Sequence, residues 1–390
     1  MSKLKLGILL SRVPYPLEKG DKLRAFHQIK ALSKNHEIYL CAFNTSKLHP
    51  KAIELLRPYC KKIKIIKLGK GSILINLLYS LLFTELPLQI AYFYKRNAKK
   101  TVWDFFKKNQ IDHLYCQLIR VSEYIKTYPC PKTLDYMDAL SRGMERRIEK
   151  APFYLKPFVK IESTRLKRYE HFIFSAFDHK TIISEQDRDL IVHADNQKIK
   201  IIPNGVDQSF FHPIESEQDI DILFTGNMSY PPNVLSAEFI AQEILPLIQK
   251  QKPDINFVIA GANPNQRVLR LANKSIEVTG WVDDIRIYYA RAKVLLAPMQ
   301  IGTGLQNKLL EAMAMKVPSV TSNLANNALN ATHNEHILIG ESAEDFAQLC
   351  LQLINDRQTA NRIAENGYHF ICEKYNWESS TKKLEDLFLT

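Results

Sequence analysis

The feature that most constrains this chain is an alternation that starts twice. Short apolar runs of strand character alternate with helical patterns through residues 1–200, and the same alternation restarts near residue 220. In the first half, KLGILLS (5–11) reads as a buried strand. DKLRAFHQIKALSKN (21–35) reads as a helix, with Leu23, Phe26, Ile29 and Leu32 at helical spacing. Further strands are expected at 37–43, 62–68, 113–117, 132–137, 180–184 and 198–202. In the second half, DILFTG (221–226), NFVIAG (256–261), SIEVTG (275–280), KVLLAP (293–298) and VPSVTS (317–322) read as strands. Helices are expected over about 233–249 and over 305–315. Parallel strands with helical crossovers predict an α/β fold of two doubly wound sheets in tandem. The expected domains are 1–202 and 203–376, followed by an amphipathic helix at 377–390. Their junction is the Pro-, Asn- and Gly-rich IIPNGVDQSFFHP (201–213). Ligands of such sheets bind at the carboxyl ends of the strands.

Charge divides along the same line. The net charge is +12, but residues 1–200 carry +19 and residues 201–390 carry −7. A basic half joined to an acidic half suggests two domains with different partners. Basic surface attracts polyanions, including anionic lipid headgroups and phosphorylated substrates. Lys61, Lys62, Lys64, Lys67 and Lys70 are too dense to read only as solubility lysines. Nucleic acid is not the expected partner, because the lysines do not alternate with stacking aromatics and no zinc-finger or basic-zipper pattern occurs. The six cysteines form no C-x-x-C pair, so reduced, buried thiols of a cytoplasmic protein are expected. The first residues hold too short an apolar run for a secretory signal.

GSILINLLYSLLFT (71–84) has no charge, and LPLQIAYFY (86–94) follows after Glu85. Glu85 and Pro87 interrupt the stretch short of the roughly 20 apolar residues that a spanning helix needs. A buried helix and a helix lying in a membrane interface both remain open.

The strongest chemical motif is APMQIGTGLQNKLLEAMAMKVPSV (297–320). A strand ends, a loop with Gly302 and Gly304 follows, and a helix begins. Glycines let a ligand approach the backbone, and the helix N-terminus offers unpaired N–H groups and a positive dipole. That combination suits a diphosphate, with Lys308 adding charge and Glu311 placed to accept from ribose hydroxyls. A tight turn followed by an exposed helix with a Lys308–Glu311 pair is the competing reading.

LLEAMAMKVPSV (309–320), IIPNGVD (201–207) and VTGWVDDI (278–285) resemble the signatures of glycosyltransferase family 4. RVPYPLEKGDKLR (12–24), FTGNMSYPPN (224–233) and GLQNKLLEAMAM (304–315) resemble a subgroup linked to bacterial exopolysaccharide clusters. The resemblance spans most of the chain. It implies a GT-B fold, two Rossmann-like domains facing a cleft. It also implies sugar transfer from a nucleotide diphosphate sugar, with retention and without a required metal or other cofactor. Carried over, Glu311 binds the donor ribose. Gly302, Thr303, Gly304 and Leu305 line the donor sugar and diphosphate, with backbone N–H groups through Gln306 and Asn307. Val278 and Gly280 lie near the base, and Gly226 and Asn227 near the diphosphate. Gly20, Asp21 and Arg24 fall on the acceptor side.

Three departures stand out. Thr303 occupies the place of a first glutamate eight residues before Glu311. No cation follows Gly226, which leaves Lys308 or Arg286 to substitute. Met137 stands where relatives often carry a histidine, followed by Asp138. That carboxylate is a candidate to orient an acceptor hydroxyl or to stabilise positive charge on the sugar, with a helix cap as its alternative. Lys308, Glu311 and Asp138 are therefore the catalytic candidates. Glu162 and Arg165 read as a structural pair. The expected acceptor is lipid-linked or a polysaccharide, on a protein of the cytoplasm with peripheral attachment to an anionic inner membrane face. A nucleotide-sugar epimerase and a non-catalytic scaffold are the rival readings.

Overall fold

The computed structural model describes residues 3–17, 19–301 and 304–389. The chain divides into two units, Met1–Pro203 with Glu378–Thr390, and Asn204–Trp377.

The first unit is built on seven strands: β1 (Lys5–Leu10), β2 (Glu37–Asn44), β3 (Lys62–Lys67), β4 (His113–Gln117), β5 (Lys132–Asp135), β6 (His179–Ile182) and β7 (Lys200–Ile201). They lie in the order β3-β2-β1-β4-β5-β6-β7, and every neighbouring pair is parallel. Strands buried on both faces must be apolar almost throughout, which is why β1 and β2 read as continuous runs. Leu6, Ile8 and Leu10 of β1 enter one core layer while Leu9 enters the other. Several strands end one or two residues earlier than expected, because the chain turns into loops at the carboxyl edge.

The labelled helices of this unit are α1 (Gly20–Leu32), α2 (Lys70–Phe83), α3 (Leu88–Phe93), α4 (Leu140–Lys150) and α5 (Lys156–Phe174). The apolar segment 71–94 thus forms two helices, broken between Thr84 and Pro87. The break is held from α5. Glu162 accepts from the Leu88 and Gln89 N–H groups (2.8 and 3.0 Å), capping α3. Arg165 donates to the Ser80 and Leu81 carbonyls (3.2 and 3.4 Å) at the end of α2. The expected Glu162–Arg165 pair is therefore corrected: each residue serves the end of a neighbouring helix. Among the described residues no helix is long and apolar enough to cross a membrane.

The second unit has six parallel strands: β8 (Ile220–Thr225), β9 (Phe257–Ala260), β10 (Ile276–Gly280), β11 (Ala292–Ala297), β12 (Ser319–Ser322) and β13 (Leu338–Gly340). Their order is β10-β9-β8-β11-β12-β13. Helix α6 (Pro231–Phe239) continues through a π-helical turn to Gln249, and α7 (Asn307–Ala314) leads into β12. The last helix, α8 (Trp377–Phe388), brings the chain back to the first unit. There Leu384 and Phe388 join the core around Leu6 and Ile8, and Glu385 accepts from Asn35 (2.9 Å).

Each sheet reverses strand order beside its first strand, between β1 and β4 and between β8 and β11. Helices on either side of such a point diverge and leave a crevice at the carboxyl ends. The six cysteines are free, and burial pushes the Cys41 and Cys60 thiols up to about 12, so they remain protonated.

Candidate functional site

The reversal in the second sheet brings the ends of β8 and β11 together, and the residues there form a buried polar network. Gly226 and Gly261, just past β8 and β9, have φ of +145° and +142°. A Cβ on Gly261 would sit 2.0 Å from the Gly226 carbonyl oxygen, and one on Gly226 would sit 2.6 Å from Asn233 Nδ2. Only glycine permits this approach. Asn233, in the first turn of α6, donates through Nδ2 to the Asn227 carbonyl (3.0 Å) and accepts from Lys308 Nζ on Oδ1 (2.7 Å). The Lys308 ammonium lies 4.1 Å above the Phe224 ring. Only 6% of Lys308 is exposed, and burial pulls its pKa down to about 7 despite the opposing charge of Glu311.

Glu311, one turn along α7, accepts from the Tyr289 hydroxyl (2.8 Å), which lies 2.7 Å from Thr225 Oγ1. Burial raises the Glu311 pKa, with the Tyr289 bond and Lys308 working against it. Lys308 and Glu311 do not form the i,i+3 pair; each is held by a different partner across the strand ends.

Helix α7 begins at Asn307, two residues later than the sequence pattern suggests. Its N-cap, Gln306, is extended, and its side chain does not cap the first N–H groups. The Gln306 amide turns back to the Gly304 carbonyl (2.8 Å), and Asn307 Oδ1 accepts from Asn204 (3.3 Å). Leu305 is buried, and the space where a Gly304 Cβ would point is open. Gly302 and Thr303 lie outside the described residues. Val278 is half-buried in β10, and Gly280 ends that strand at φ +72° with open space where its Cβ would point. Arg286 is corrected as a candidate anion ligand. Its guanidinium holds Asp284 (2.6 and 2.9 Å) and stacks on Phe210 at 4.1 Å. Lys308 is thus the cation that the fold delivers to this strand end. An uncapped helix start, a buried ammonium and a half-buried carboxylate make a place suited to a diphosphate joined to a sugar diol.

The corresponding edge of the first unit gathers a second set. Gly20 opens α1, and Asp21 follows, accepting from Arg12 Nη1 (2.6 Å) just beyond β1. Arg24 lies deeper than the sequence suggests. It is wholly buried, with Nε on Asp135 Oδ2 (2.6 Å), and the Tyr115 hydroxyl shares that oxygen (2.6 Å). Asp135 is wholly buried as well, so Arg24, expected on the acceptor side, is packed inside the first unit.

Leu118 and Met137, at the ends of β4 and β5, have φ of +67° and +63°. Positive φ at such residues is strain, which persists where the surroundings impose it. Past Met137, the Asp138 N–H donates to the Tyr136 carbonyl (2.8 Å), and Asp138 Oδ1 is buried without a hydrogen-bond partner. Asp138 does not cap α4. Ala139 occupies the cap, and Glu170 of α5 accepts from Ser141 N–H and Oγ (3.0 and 2.6 Å). Burial raises the Asp138 pKa to about 7, and nearby Asp187 adds to this while Arg120 opposes it.

Sequence reasoning singled out neither Arg12 nor Arg120 in the first unit, nor Tyr289 or the role of Asn233 in the second. The YPPN run (230–233) marks a helix start, but nothing local ties Asn233 to Lys308, 75 residues away.

Known proteins resemble this chain in sequence and in fold. Residues 219–356, inside the second unit, match the family described as Glycosyl transferases group 1. An uncharacterised 44.6 kDa protein in the cps region of Klebsiella pneumoniae is 22% identical, covering 95% of this chain and 96% of its own. The UDP-Gal:alpha-D-GlcNAc-diphosphoundecaprenol alpha-1,3-galactosyltransferase of Escherichia coli is 24% identical, covering 53% and 59%. Among solved structures, the sucrose-phosphate synthase of Thermosynechococcus elongatus superposes with a TM-score of 0.70 at 14% identity, covering 99% and 98%. Anabaena HepE in complex with UDP and glucose also gives 0.70, at 13% identity, covering 99% and 100%. The fold is GT-B, with two Rossmann-like parallel sheets. With the family match in the second unit, it supports a glycosyltransferase.

Proposed function

We propose that this chain transfers a sugar, with retention at the anomeric carbon, from a nucleotide diphosphate sugar to a lipid-linked or polysaccharide acceptor in bacterial surface-glycan synthesis. The observation that carries the reading is the convergence of Lys308, Glu311 and the uncapped start of α7 at the reversal of the second sheet. The relatives add context. One is encoded in a cps region, one is named for a lipid-linked acceptor, and HepE binds UDP and glucose.

In this reading the Glu311 carboxylate takes the ribose hydroxyls, and Val278 and Gly280 flank the base. The diphosphate rests on the N–H groups of residues 304–307, with Gly226 and Asn227 allowing close approach and Lys308 beneath. Gly302 and Thr303 accompany the sugar. As the bond from sugar to phosphate breaks, negative charge grows on the diphosphate, where the helix dipole and Lys308 oppose it. The reading calls for no metal or cofactor, since Lys308 supplies the cation. Asp138, in the first unit, is the candidate to orient the acceptor hydroxyl, while the departing phosphate takes the proton.

The test is incubation with a panel of nucleotide sugars and a bacterial lipid extract, read by free nucleotide and by the anomeric NMR signal of the product. Nucleotide release that is lost in Glu311→Ala, with the donor's anomeric configuration kept, is expected. An epimerised donor with no glycosylated product points to an epimerase, and silence with every donor to a scaffold.

A further inference from the structure

Helix α2 has no charged residue from Gly71 to Phe83, and most of its large apolar side chains lie on the side turned away from the core. Ile73 and Ser80 are buried, while Leu74, Ile75, Leu78, Tyr79, Leu82 and Phe83 are each 51% to 71% exposed. Their spacing forms one continuous stripe along the helix. Soluble surfaces rarely leave such a patch to water. A second group stands beside it. Phe153, Tyr154, Leu155, Phe158 and Ile161, at the start of α5, are 43% to 84% exposed. The two elements are joined directly, since Arg165 of α5 bonds the last carbonyls of α2 and Arg168 pairs with Glu85 (3.4 Å).

The charges around the patch are of one sign. From residue 55 to 103 the chain carries ten Lys and Arg and a single acid, Glu85. Lys61, Lys62, Lys64 and Lys67 are exposed along β3, the edge strand that leads into α2, and Lys70 is exposed at the helix start. On α5, Lys156 and Lys160 are exposed among the aromatic residues. An apolar stripe without charge, aromatic rings at its margin and a cationic rim match the layers of an anionic bilayer surface. A second copy of the chain would bring the same cations against each other.

We propose that α2 and the 153–161 segment form a membrane-docking face of the first unit, with the stripe entering the acyl boundary and the lysines meeting anionic phospholipid headgroups. Binding to this face needs neither donor nor acceptor.

The test is sedimentation of the full chain with vesicles of phosphatidylcholine containing 30% phosphatidylglycerol or none, without sugar nucleotide, at low and high salt. At least tenfold stronger binding to the anionic vesicles at low salt is expected. Leu78→Glu with Leu82→Glu, and separately Phe153→Ser with Phe158→Ser, should each cut that binding at least tenfold. All four positions are exposed, so an unchanged melting temperature confirms folding. A separate Lys64→Glu, Lys67→Glu chain should lose the lipid-charge preference. Failure to sediment with either vesicle overturns the proposal, as does binding that the substitutions leave intact. A solution dimer that the α2 substitutions dissociate, without vesicle binding, would assign the face to a second copy and overturn it too.

Discussion

At the residue scale, Lys308 decides most. A buried ammonium held by one neutral amide and an aromatic ring is an unfavourable element in the free protein. Lys308→Met keeps the stem and removes the charge. The free protein should be unchanged or more stable by about 1 kcal/mol, measured by urea melts. Donor affinity should instead fall at least tenfold, because a hydrogen bond to a charged group contributes about 1.5–3 kcal/mol. A parallel loss of stability and affinity would make Lys308 a packing residue. Its pKa of about 7 gives the pH dependence a sign. Below 7 the ammonium is charged in folded and unfolded chains alike. Between about 7 and its ordinary 10.5 only the unfolded chain holds the proton, so this group's contribution to stability rises with pH there. The diphosphate needs the charged form and stays doubly ionised over the same range. Donor affinity, measured by calorimetry from pH 6 to 9, should therefore weaken above about 7 and lose that dependence in Lys308→Met. The sequence placed Lys308 and Glu311 on one helix, three residues apart, as the structure has them. It did not reveal their burial or their partners, because Asn233 and Tyr289 arrive from other helices through tertiary packing.

At the element scale, the strands were legible because buried parallel strands are apolar throughout, and that signal survives without any tertiary information. The start of α7, which depends on loop geometry, was less so. The break between α2 and α3 showed as Glu85 and Pro87, but not the residues that hold it, Glu162 and Arg165, more than 70 residues further along the chain. The loops at the carboxyl edge of the second sheet allow a direct comparison. Gly261→Ala pushes a methyl against the Gly226 carbonyl and should cost about 1–3 kcal/mol of stability with loss of donor binding. Among the described residues beyond its chain neighbours, Gly304→Ala meets no atom within 4 Å. It should leave the melting temperature alone and raise the KM for donor, since the added methyl faces the ligand side of the loop. Equal effects of the two substitutions, by calorimetric melting and steady-state kinetics, would remove the donor from that loop.

At the scale of the whole molecule, the sequence carried its organisation in two coarse signals, the restart of the α/β alternation and the change in net charge near residue 200. The structure divides at Pro203 and Asn204 and returns at Glu378. What coarse signals cannot carry is exposure. Residues 71–84 read the same whether covered by protein or open, and only the packed helix shows which side is open. The assignment of two chemical roles to two units rests on the donor sitting in the second. Titration calorimetry of a sugar nucleotide into the native chain, Glu311→Gln and Glu311→Ala is the most direct test. Glutamine can still accept from Tyr289, so folding is retained while the charged acceptor for a ribose diol is lost. The expected result is a 1:1 site in the native chain, weakened at least tenfold in both variants with little change in melting temperature. Equal affinity in all three chains would contradict it.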